Sequence, residues 1–378
     1  MKAGWKTVKL GEVLDKTENI DPTDFPEKEY DYIDVSSVSN KSFSIEETQR
    51  IKGKDAPSRA RKLVRTNDVI FATIRPTLQR IAIIPELLDG QICSTGYLVL
   101  RPKEIISSRF IYYALMTDSF RSQMELLQKG SSYPAVTDGD VRNQLIPLPP
   151  LAEQKRIVAL LDEAFAGIDE AKAKAEANLE DTSMILKSYL NSIFSQGANE
   201  WAEKTLGETC EMYQPKTIGM KDLIPDGPYP VFGANGVIGK YDKYNHEEPQ
   251  LLITCRGATC GAVNISEPNS WITGNAMVVR PKDGEIDLQF LEFFFRGGVD
   301  ISVAITGSAQ PQITRTNLEP LTVRFPKSVV EQENHVKAFK SLTDETRTLA
   351  NIYAQKLLML NQLKNTLLAQ AFAGELTA

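Results

Sequence analysis

The sequence predicts an α+β chain in which two globular α/β domains alternate with two long helices, so that one module occurs twice. Three observations lead to this fold class: sequence blocks that recur once in the same order, short strand-like apolar runs early in each half, and a long proline-free stretch late in each half. The 378 residues suffice for two or three domains. Each half is therefore long enough to bury its own core.

The repeat is an ordered series of short matches rather than one continuous similarity. The matched pairs are 5–12 with 201–208, 97–103 with 276–282, 110–115 with 290–295, 130–137 with 307–314, and 153–154 with 331–332. Between these blocks the halves diverge, and 30–65 bear little likeness to 213–245. The pattern indicates a duplicated frame that carries two different heads.

Within each head, local composition predicts the first elements. The apolar run at 68–74 lies between Asn67 and Pro76, as expected for a buried strand, and 250–254 is its counterpart. Residues 109–127 have helical spacing, and prolines close each globular part. The predicted domains are 1–150 and 199–326, each followed by a long helix, at 151–198 and 327–378.

The long helices are predicted from their heptad spacing. Apolar or small residues of the first helix recur at Ile157, Leu161, Ala164, Ile168, Ala171 and Ala175, and later at Ile185, Tyr189 and Ile193. The second helix continues the pattern from Val336 to Ala371. A lone helix would leave such a stripe in water, so we expect the two to pair as an antiparallel coiled coil. The alternative is a pair of core helices in one large domain.

Composition argues against several classes of protein. The net charge is −6, and the four cysteines fit no zinc-ligand spacing, so we expect reduced thiols in the cytosol. No apolar run approaches the ~18 residues of a membrane span. The glycines at 233–240 depart from the phosphate-binding loop pattern, and the motifs of adenine methyltransferases are missing. His335 is expected on the solvent side of its helix. We therefore expect no enzyme, no metal and no bound cofactor.

Four segments, in both halves and in matching order, resemble the specificity subunits of type I restriction–modification systems. The segments are 5–12, 147–157, 229–239 and 363–376. Residues 72–77 depart from the usual Arg-Gly form that 253–258 retain.

The resemblance implies two target recognition domains, each reading half of a bipartite double-stranded DNA site. Because the heads differ, that site should be asymmetric. The helices would separate the domains and dock two methyltransferase subunits, which restriction subunits join. S-adenosylmethionine, ATP and magnesium would belong to those partners, in the cytoplasm of a bacterium or archaeon. The residues expected on the docking helices are Gln154, Ile157, Leu161, Gln332, Val336 and Phe372.

Candidate DNA contacts come from a basic stretch at 50–80, from the ends of the matched strands and from the matched loops. Lysine and arginine neutralise phosphates, and arginine can also bond a guanine edge with two donors. The alternatives are a solvated face, internal ion pairs and purely structural turns. The candidate residues are Lys52, Lys54, Arg59, Arg61, Lys62, Thr73, Arg75, Ser131, Ser132, Tyr133, Asn235, Thr254, Arg256, Ser308 and Gln310. A scaffold whose heads bind proteins remains the other functional class.

Overall fold

The computed structural model describes residues 4–196, 201–307 and 310–376 and divides into two compact units. The first unit comprises Met1–Lys174 with Lys356–Ala378, and the second comprises Ala175–Gln355. The division falls inside the long helices, because each helix packs part of its length on one globular domain and part on the other. No helix of the described ranges has the length and apolar character needed to cross a membrane.

The first unit contains three antiparallel or mixed sheets. Its strands are β1 (Lys6–Lys9), β2 (Leu14–Asp15), β3 (Glu29–Ile33), β4 (Gln49–Lys52), β5 (Ala60–Leu63), β6 (Val69–Ala72), β7 (Ile81–Ile83), β8 (Ile92–Ser94), β9 (Tyr97–Pro102) and β10 (Leu145–Leu148). The sheets have the orders β1-β10, β2-β9-β6-β7 and β4-β3-β8-β5. Strand β6 is buried along its whole length, as its apolar run predicts.

The helices of the first unit are α1 (Ser108–Met116), which packs on β6, β7 and β9, α2 (Asp118–Leu127), α3 (Asp138–Arg142), the first part of α4 (Leu151–Gln196) and the end of the second long helix, from Lys356 onward. The helical stretch predicted at 109–127 is thus two helices. The break falls at Thr117, whose backbone is extended and whose hydroxyl accepts a hydrogen bond from the Phe120 N–H.

The second unit repeats this plan with a smaller third sheet. Its strands are β11 (Ala202–Thr205), β12 (Cys210–Tyr213), β13 (Tyr229–Gly233), β14 (Gly236–Tyr241), β15 (Leu251–Thr254), β16 (Val263–Ile265), β17 (Trp271–Ile272), β18 (Ala276–Pro281) and β19 (Thr322–Phe325). Its helices are α5 (Leu206–Thr209), α6 (Leu288–Phe293), α7 (Arg315–Leu318), the last part of α4, from Ala175 onward, and the first part of α8 (Val329–Ala373). The orders β11-β19 and β12-β18-β15-β16 match the first unit, whereas β14-β13-β17 has three strands instead of four.

The long helices pair antiparallel within each unit. In the first unit, Arg156 donates to the Leu376 carbonyl (3.0 Å) and Lys364 pairs with Asp169 (3.1 Å). In the second, the ring of Phe339 lies 5.9 Å from that of Phe194. Each apolar stripe is thus covered by the partner helix and by the adjoining domain, as the heptads predict.

Part of the predicted stripe on α4 is shifted by one residue. Ile185 and Tyr189 are exposed, whereas Leu190 and Phe194 are buried. The buried face of α4 continues through Thr182, but the polar residues before Ile185 interrupt the apolar pattern, so the sequence does not indicate this continuation. His335 also differs from expectation: it lies half-buried among the rings of Trp201, Phe290 and Phe339.

Candidate nucleic-acid interface

A closed loop lies beside the end of strand β6 in the first unit. Lys129 and Ala135 exchange two backbone hydrogen bonds (2.8 and 2.9 Å) and so close the loop 130–134. Gly130 permits the reversal because its φ is +99°. The loop is fastened to the strand extension, since the Arg75 N–H donates to the Pro134 carbonyl at 2.7 Å.

The second unit contains the same construction beside the end of strand β15. Thr306 and Gln312 exchange backbone hydrogen bonds of 2.9 and 2.8 Å, and Gly307 has a φ of +85°. The Gly257 N–H donates to the Pro311 carbonyl at 3.2 Å. Both units therefore have a loop that is closed by a matching pair of backbone bonds and fastened to a matching strand end.

These hydrogen bonds correct the pairing of the two candidate arginines by one residue. The sequence blocks place Arg75 opposite Arg256, but the bond to the loop proline comes from Arg75 in one unit and from Gly257 in the other. Arg256 is instead the counterpart of Ile74, since both form the isolated bridge to the loop end. The two arginines therefore do not occupy equivalent positions.

The Arg75 groove lies in the first unit, between the closed loop 130–134 and the sheet β4-β3-β8-β5. The polar and aromatic side chains that line it are those of Asp34, Ser36, Arg59, Arg75, Arg80 and Tyr133. The Arg75 guanidinium lies 5.3 Å from the centroid of the Tyr133 ring, which is 73% exposed. Arg80 donates to the Val38 carbonyl. Among the described residues no carboxylate pairs with Arg59 or Arg75, so both cations are available to a ligand.

The corresponding groove of the second unit is the Arg256 groove. It is lined by Tyr213, Gln214, Arg256, Gln312, Thr314 and Arg315. Arg315 is neutralised by Glu319 at 2.6 Å, whereas Arg256 is exposed and pairs with no carboxylate of the described ranges. The exposed Gln310 lies in the adjoining loop. One available cation beside polar side chains therefore marks this groove also.

The remaining loop candidates lie at the surface where they are described. Ser131 and Ser132 are exposed on the closed loop of the first unit. Asn235 is exposed in the turn between β13 and β14, and its side-chain oxygen accepts from Asn264 at 3.2 Å. Ser308 lies outside the described residues.

Three polar candidates are occupied inside their own domain. The Thr73 hydroxyl donates to the Gly96 carbonyl at 3.0 Å, and the buried Thr254 hydroxyl donates to the Ala234 carbonyl. The Lys62 ammonium, whose side chain is 15% exposed, donates to the Tyr97 carbonyl (2.6 Å) and to Asp138 (2.9 Å). These groups hold the strand ends together and are not presented to a ligand.

The basic stretch is also less positive than its sequence suggests. Antiparallel pairing of β3 with β4 brings carboxylates from residues 27–31 beside it. Lys52 and Lys54 both pair with Glu27, at 3.2 and 3.4 Å, and Arg61 lies 3.5 Å from Asp21. Of the candidate cations in 50–65, Arg59 alone lacks such a partner in the described chain.

Five of the six predicted docking residues are enclosed in their own units, which corrects that prediction for them, whereas Phe372 is half-buried. Ile157, Leu161 and Val336 belong to the apolar cores, and Phe372 packs 4.9 Å from the Phe110 ring. Gln154 and Gln332 are fully buried. A side chain enclosed in this way joins helix to domain and offers no surface to another subunit.

Gln154 and Gln332 form three corresponding hydrogen bonds, each in its own unit. In the first, Gln154 donates to the Ile105 and Pro149 carbonyls (3.0 and 2.9 Å) and accepts from the Ser107 N–H (2.9 Å). In the second, Gln332 bonds the carbonyls of residues 285 and 326 and the N–H of residue 287, each at 2.8 Å. The recurring Glu-Gln pair therefore marks the attachment of each long helix.

A buried histidine near the Arg256 groove was missed by the sequence patterns. The Asn245 side-chain oxygen accepts from the Ile272 N–H (2.8 Å) and from His246 Nδ1 (2.6 Å), so Nδ1 carries the proton. His246 Nε2 then accepts from the Tyr213 hydroxyl at 2.8 Å. Burial, and then the charge of Arg280, hold the pKa of His246 below its ordinary value of 6.5.

This pKa predicts an acid-sensitive second unit. The unfolded chain takes up a proton near pH 6.5 while the folded histidine stays neutral, so stability falls as the pH drops below about 6.5. Urea unfolding of the full chain, measured between pH 8 and 5.5, should show this decline. His246→Gln should flatten it, and an unaltered slope in that variant would assign the sensitivity to other groups.

No cluster of three or more metal-ligating side chains occurs in 4–196, 201–307 or 310–376. The two grooves are candidate recognition surfaces on other grounds, because each contains an arginine without a carboxylate partner in the described ranges, together with polar side chains. Such surfaces suit a polyanion with hydrogen-bonding edges.

Comparisons with known proteins agree with this arrangement. A family model described as the type I restriction modification DNA specificity domain matches residues 2–180 and 198–356, once in each half. The specificity subunit of the type I restriction enzyme EcoprrI of Escherichia coli is 28% identical over 234 residues, which are 58% of this chain and 57% of that protein. The EcoKI specificity subunit of Escherichia coli K12 is 23% identical over 332 residues, covering 76% of this chain and 70% of its own.

Solved structures extend the likeness over the whole chain. A chain from a study of complex assembly and conformational transition of the type I R-M system superposes with a TM-score of 0.88 at 30% identity, covering 99% of both chains. The HsdS subunit from Thermoanaerobacter tengcongensis superposes with a TM-score of 0.68 at 29% identity, covering 100% of this chain and 98% of its own. This chain belongs to the family of type I restriction–modification DNA specificity subunits.

Proposed function

We propose that the chain reads an asymmetric, bipartite double-stranded DNA site, one half with each domain. The observation that carries the proposal is the pair of grooves: the same loop-and-strand frame recurs, while the side chains lining it differ. Arg59, Arg75 and Tyr133 line one groove, whereas Arg256 and Gln312 line the other. A shared frame with unlike linings favours two unlike half-sites.

The charges of the grooves support a DNA ligand in an otherwise acidic chain. The net charge of −6 disfavours indiscriminate binding of polyanions, so attraction must be local. Arginines free of carboxylates supply that attraction through phosphate contacts, and their planar donors can also read guanine edges.

The proposed partners are two methyltransferase subunits and the restriction subunits that join them. S-adenosylmethionine, ATP and magnesium would be used by those subunits in the cytoplasm, and this chain would direct them to the site. Exposed apolar side chains on the long helices are better candidates for docking than the enclosed residues discussed above. They are Leu358, Met359 and Leu363 in the first unit and Met184, Ile185, Leu349 and Ile352 in the second.

The full chain, purified with its methyltransferase partner, should enrich two unlike half-sites from a pool of randomised duplexes. Binding should weaken steeply with salt, by about a thousandfold between 50 and 200 mM if six phosphates are contacted. A scrambled duplex of equal length serves as the control. Enrichment of no sequence above that control would exclude DNA reading and return the protein-binding scaffold as the better hypothesis.

A further inference from the structure

The backbone at Arg75 has a conformation that ordinarily belongs to glycine. Its φ is +50°, and the structurally equivalent Gly257 of the second unit has a φ of +86°. Both N–H groups bond the carbonyl of the loop proline, so the position itself requires the left-handed region. One unit satisfies this requirement with glycine at little cost, whereas the other retains an arginine there.

Neighbouring bonds keep Arg75 in this strained conformation. Its N–H donates to the Pro134 carbonyl (2.7 Å), and its carbonyl accepts from the Leu78 N–H (3.0 Å). Pro76, directly after it, is buried and begins the short helical turn Pro76–Leu78. The stem of the arginine therefore leaves the backbone in a fixed direction.

The charged end of this arginine contacts an aromatic ring of the groove but no carboxylate of the described residues. The guanidinium lies against the Tyr133 ring, 5.3 Å from its centroid, and pairs with no carboxylate of the described residues. Asp34, the acidic residue of the groove, is instead bonded by the Tyr32 hydroxyl (3.1 Å) and the Ser36 hydroxyl (3.2 Å). The planar donors of Arg75 remain free and are partly oriented by the ring.

We propose that Arg75 is a specificity-determining residue that bonds a guanine of the half-site read by the first domain. Strained non-glycine residues persist where the side chain is needed, and a free guanidinium on a rigid stem matches the paired acceptors of guanine. The inference rests on the proposed DNA reading. The second domain has no counterpart at this position, because Gly257 stands there and Arg256 replaces Ile74.

The test selects duplexes from a randomised pool with the full chain and its methyltransferase partner, comparing wild type with Arg75→Gly and Arg75→Lys. Both variants should lose about tenfold to a hundredfold of the preference for one guanine in one half-site, and the other half-site should be unchanged. Arg75→Lys should keep more affinity for non-cognate duplexes than Arg75→Gly, since it retains the positive charge that attracts phosphates irrespective of sequence.

Thermal unfolding separates a reading role from a structural one. Arg75→Gly relieves the strain of the left-handed backbone, which stabilises the folded state, but it also raises the conformational entropy of the unfolded chain, which destabilises the folded state. Because the two effects oppose each other, the melting temperature should shift by no more than about 2 °C. Asn67→Gly is the matched control, because Asn67 has a φ of +70° in the same unit and lies outside the groove. It should leave every base preference intact.

Three outcomes decide the matter. Unchanged base preferences in Arg75→Gly, with a bipartite site recovered by wild type, would overturn the inference and leave the proposed function standing. A loss of several degrees in melting temperature with weakened preference in both half-sites would assign Arg75 a structural role. Failure of the wild type to enrich any sequence would remove the proposed function and this inference together.

Discussion

Replacing Gln332 by leucine is expected to detach the start of α8 from the second domain and to lower the free energy of unfolding there by about 3–5 kcal/mol. The substitution removes three hydrogen bonds of 2.8 Å at a fully buried position. Two carbonyls and one N–H would then lose their partners, the Pro326 carbonyl in the interior and the other two groups at part-buried positions, and an unpaired polar group costs more there than a bond contributes in water. Faster amide hydrogen exchange at 285–290 and 329–336 would report the effect.

Matched variants test whether this effect is specific. Gln154→Leu should produce the corresponding loss at 105–107 and 149–154, because its three bonds are the same. Glu333→Leu, an exposed neighbour on the same helix, should leave exchange almost unchanged. Equal exchange in Gln332→Leu and wild type would show that the attachment does not depend on this side chain.

Replacing Asp68 by leucine is expected to destabilise the first unit by about 3 kcal/mol, since removing one partner leaves a charge unpaired in the interior. Asp68 is 1% exposed and accepts two bonds from Arg101, at 2.9 and 2.8 Å, and one from the Arg65 N–H at 2.8 Å. Glu18 lies 3.4 Å from Arg101 and would retain part of the pairing, so the lower end of the usual range applies.

The second unit supplies the control for this variant. At the equivalent buried place Gln250, an uncharged acceptor, accepts from Arg280 Nε at 3.3 Å, and the more exposed Arg280 also lies 3.8 Å from Glu211. Asp68→Gln should therefore lower the free energy of unfolding distinctly less than Asp68→Leu does. Urea unfolding measures this difference, and amide hydrogen exchange in β6 and β9 locates it in the first unit. Equal losses in the two variants would show that the charge, rather than an acceptor, is required.

The long helices and the repeated strands could be predicted because their signals are local. Helical and strand periodicities follow from backbone geometry, and α8 keeps its heptad from Val336 to Ala371 with few interruptions. On α4 the polar interruption before residue 185 removed the local signal. The sequence then favoured Ile185 and Tyr189, whereas the fold buries Leu190 and Phe194.

The candidate interface was only partly predictable, because exposure and pairing depend on residues far apart in the chain. Arg59, Arg75, Tyr133 and Arg256 do line the grooves, and whether they contact DNA stays a prediction. Lys52 and Lys54 looked free in the sequence because their partner, Glu27, lies some 25 residues earlier, in the turn before β3.

Taken by itself, the sequence determined that one module occurs twice, that each copy ends in a long amphipathic helix, and that the heads differ between the copies. Those properties are carried by order and periodicity along the chain. Only the tertiary structure decided which cations are neutralised, which helix residues are enclosed, and that Arg75 corresponds to Gly257 rather than to Arg256. The physical reason is that strand register and ion pairing join distant segments, and a shift of one residue changes which side chain reaches the groove.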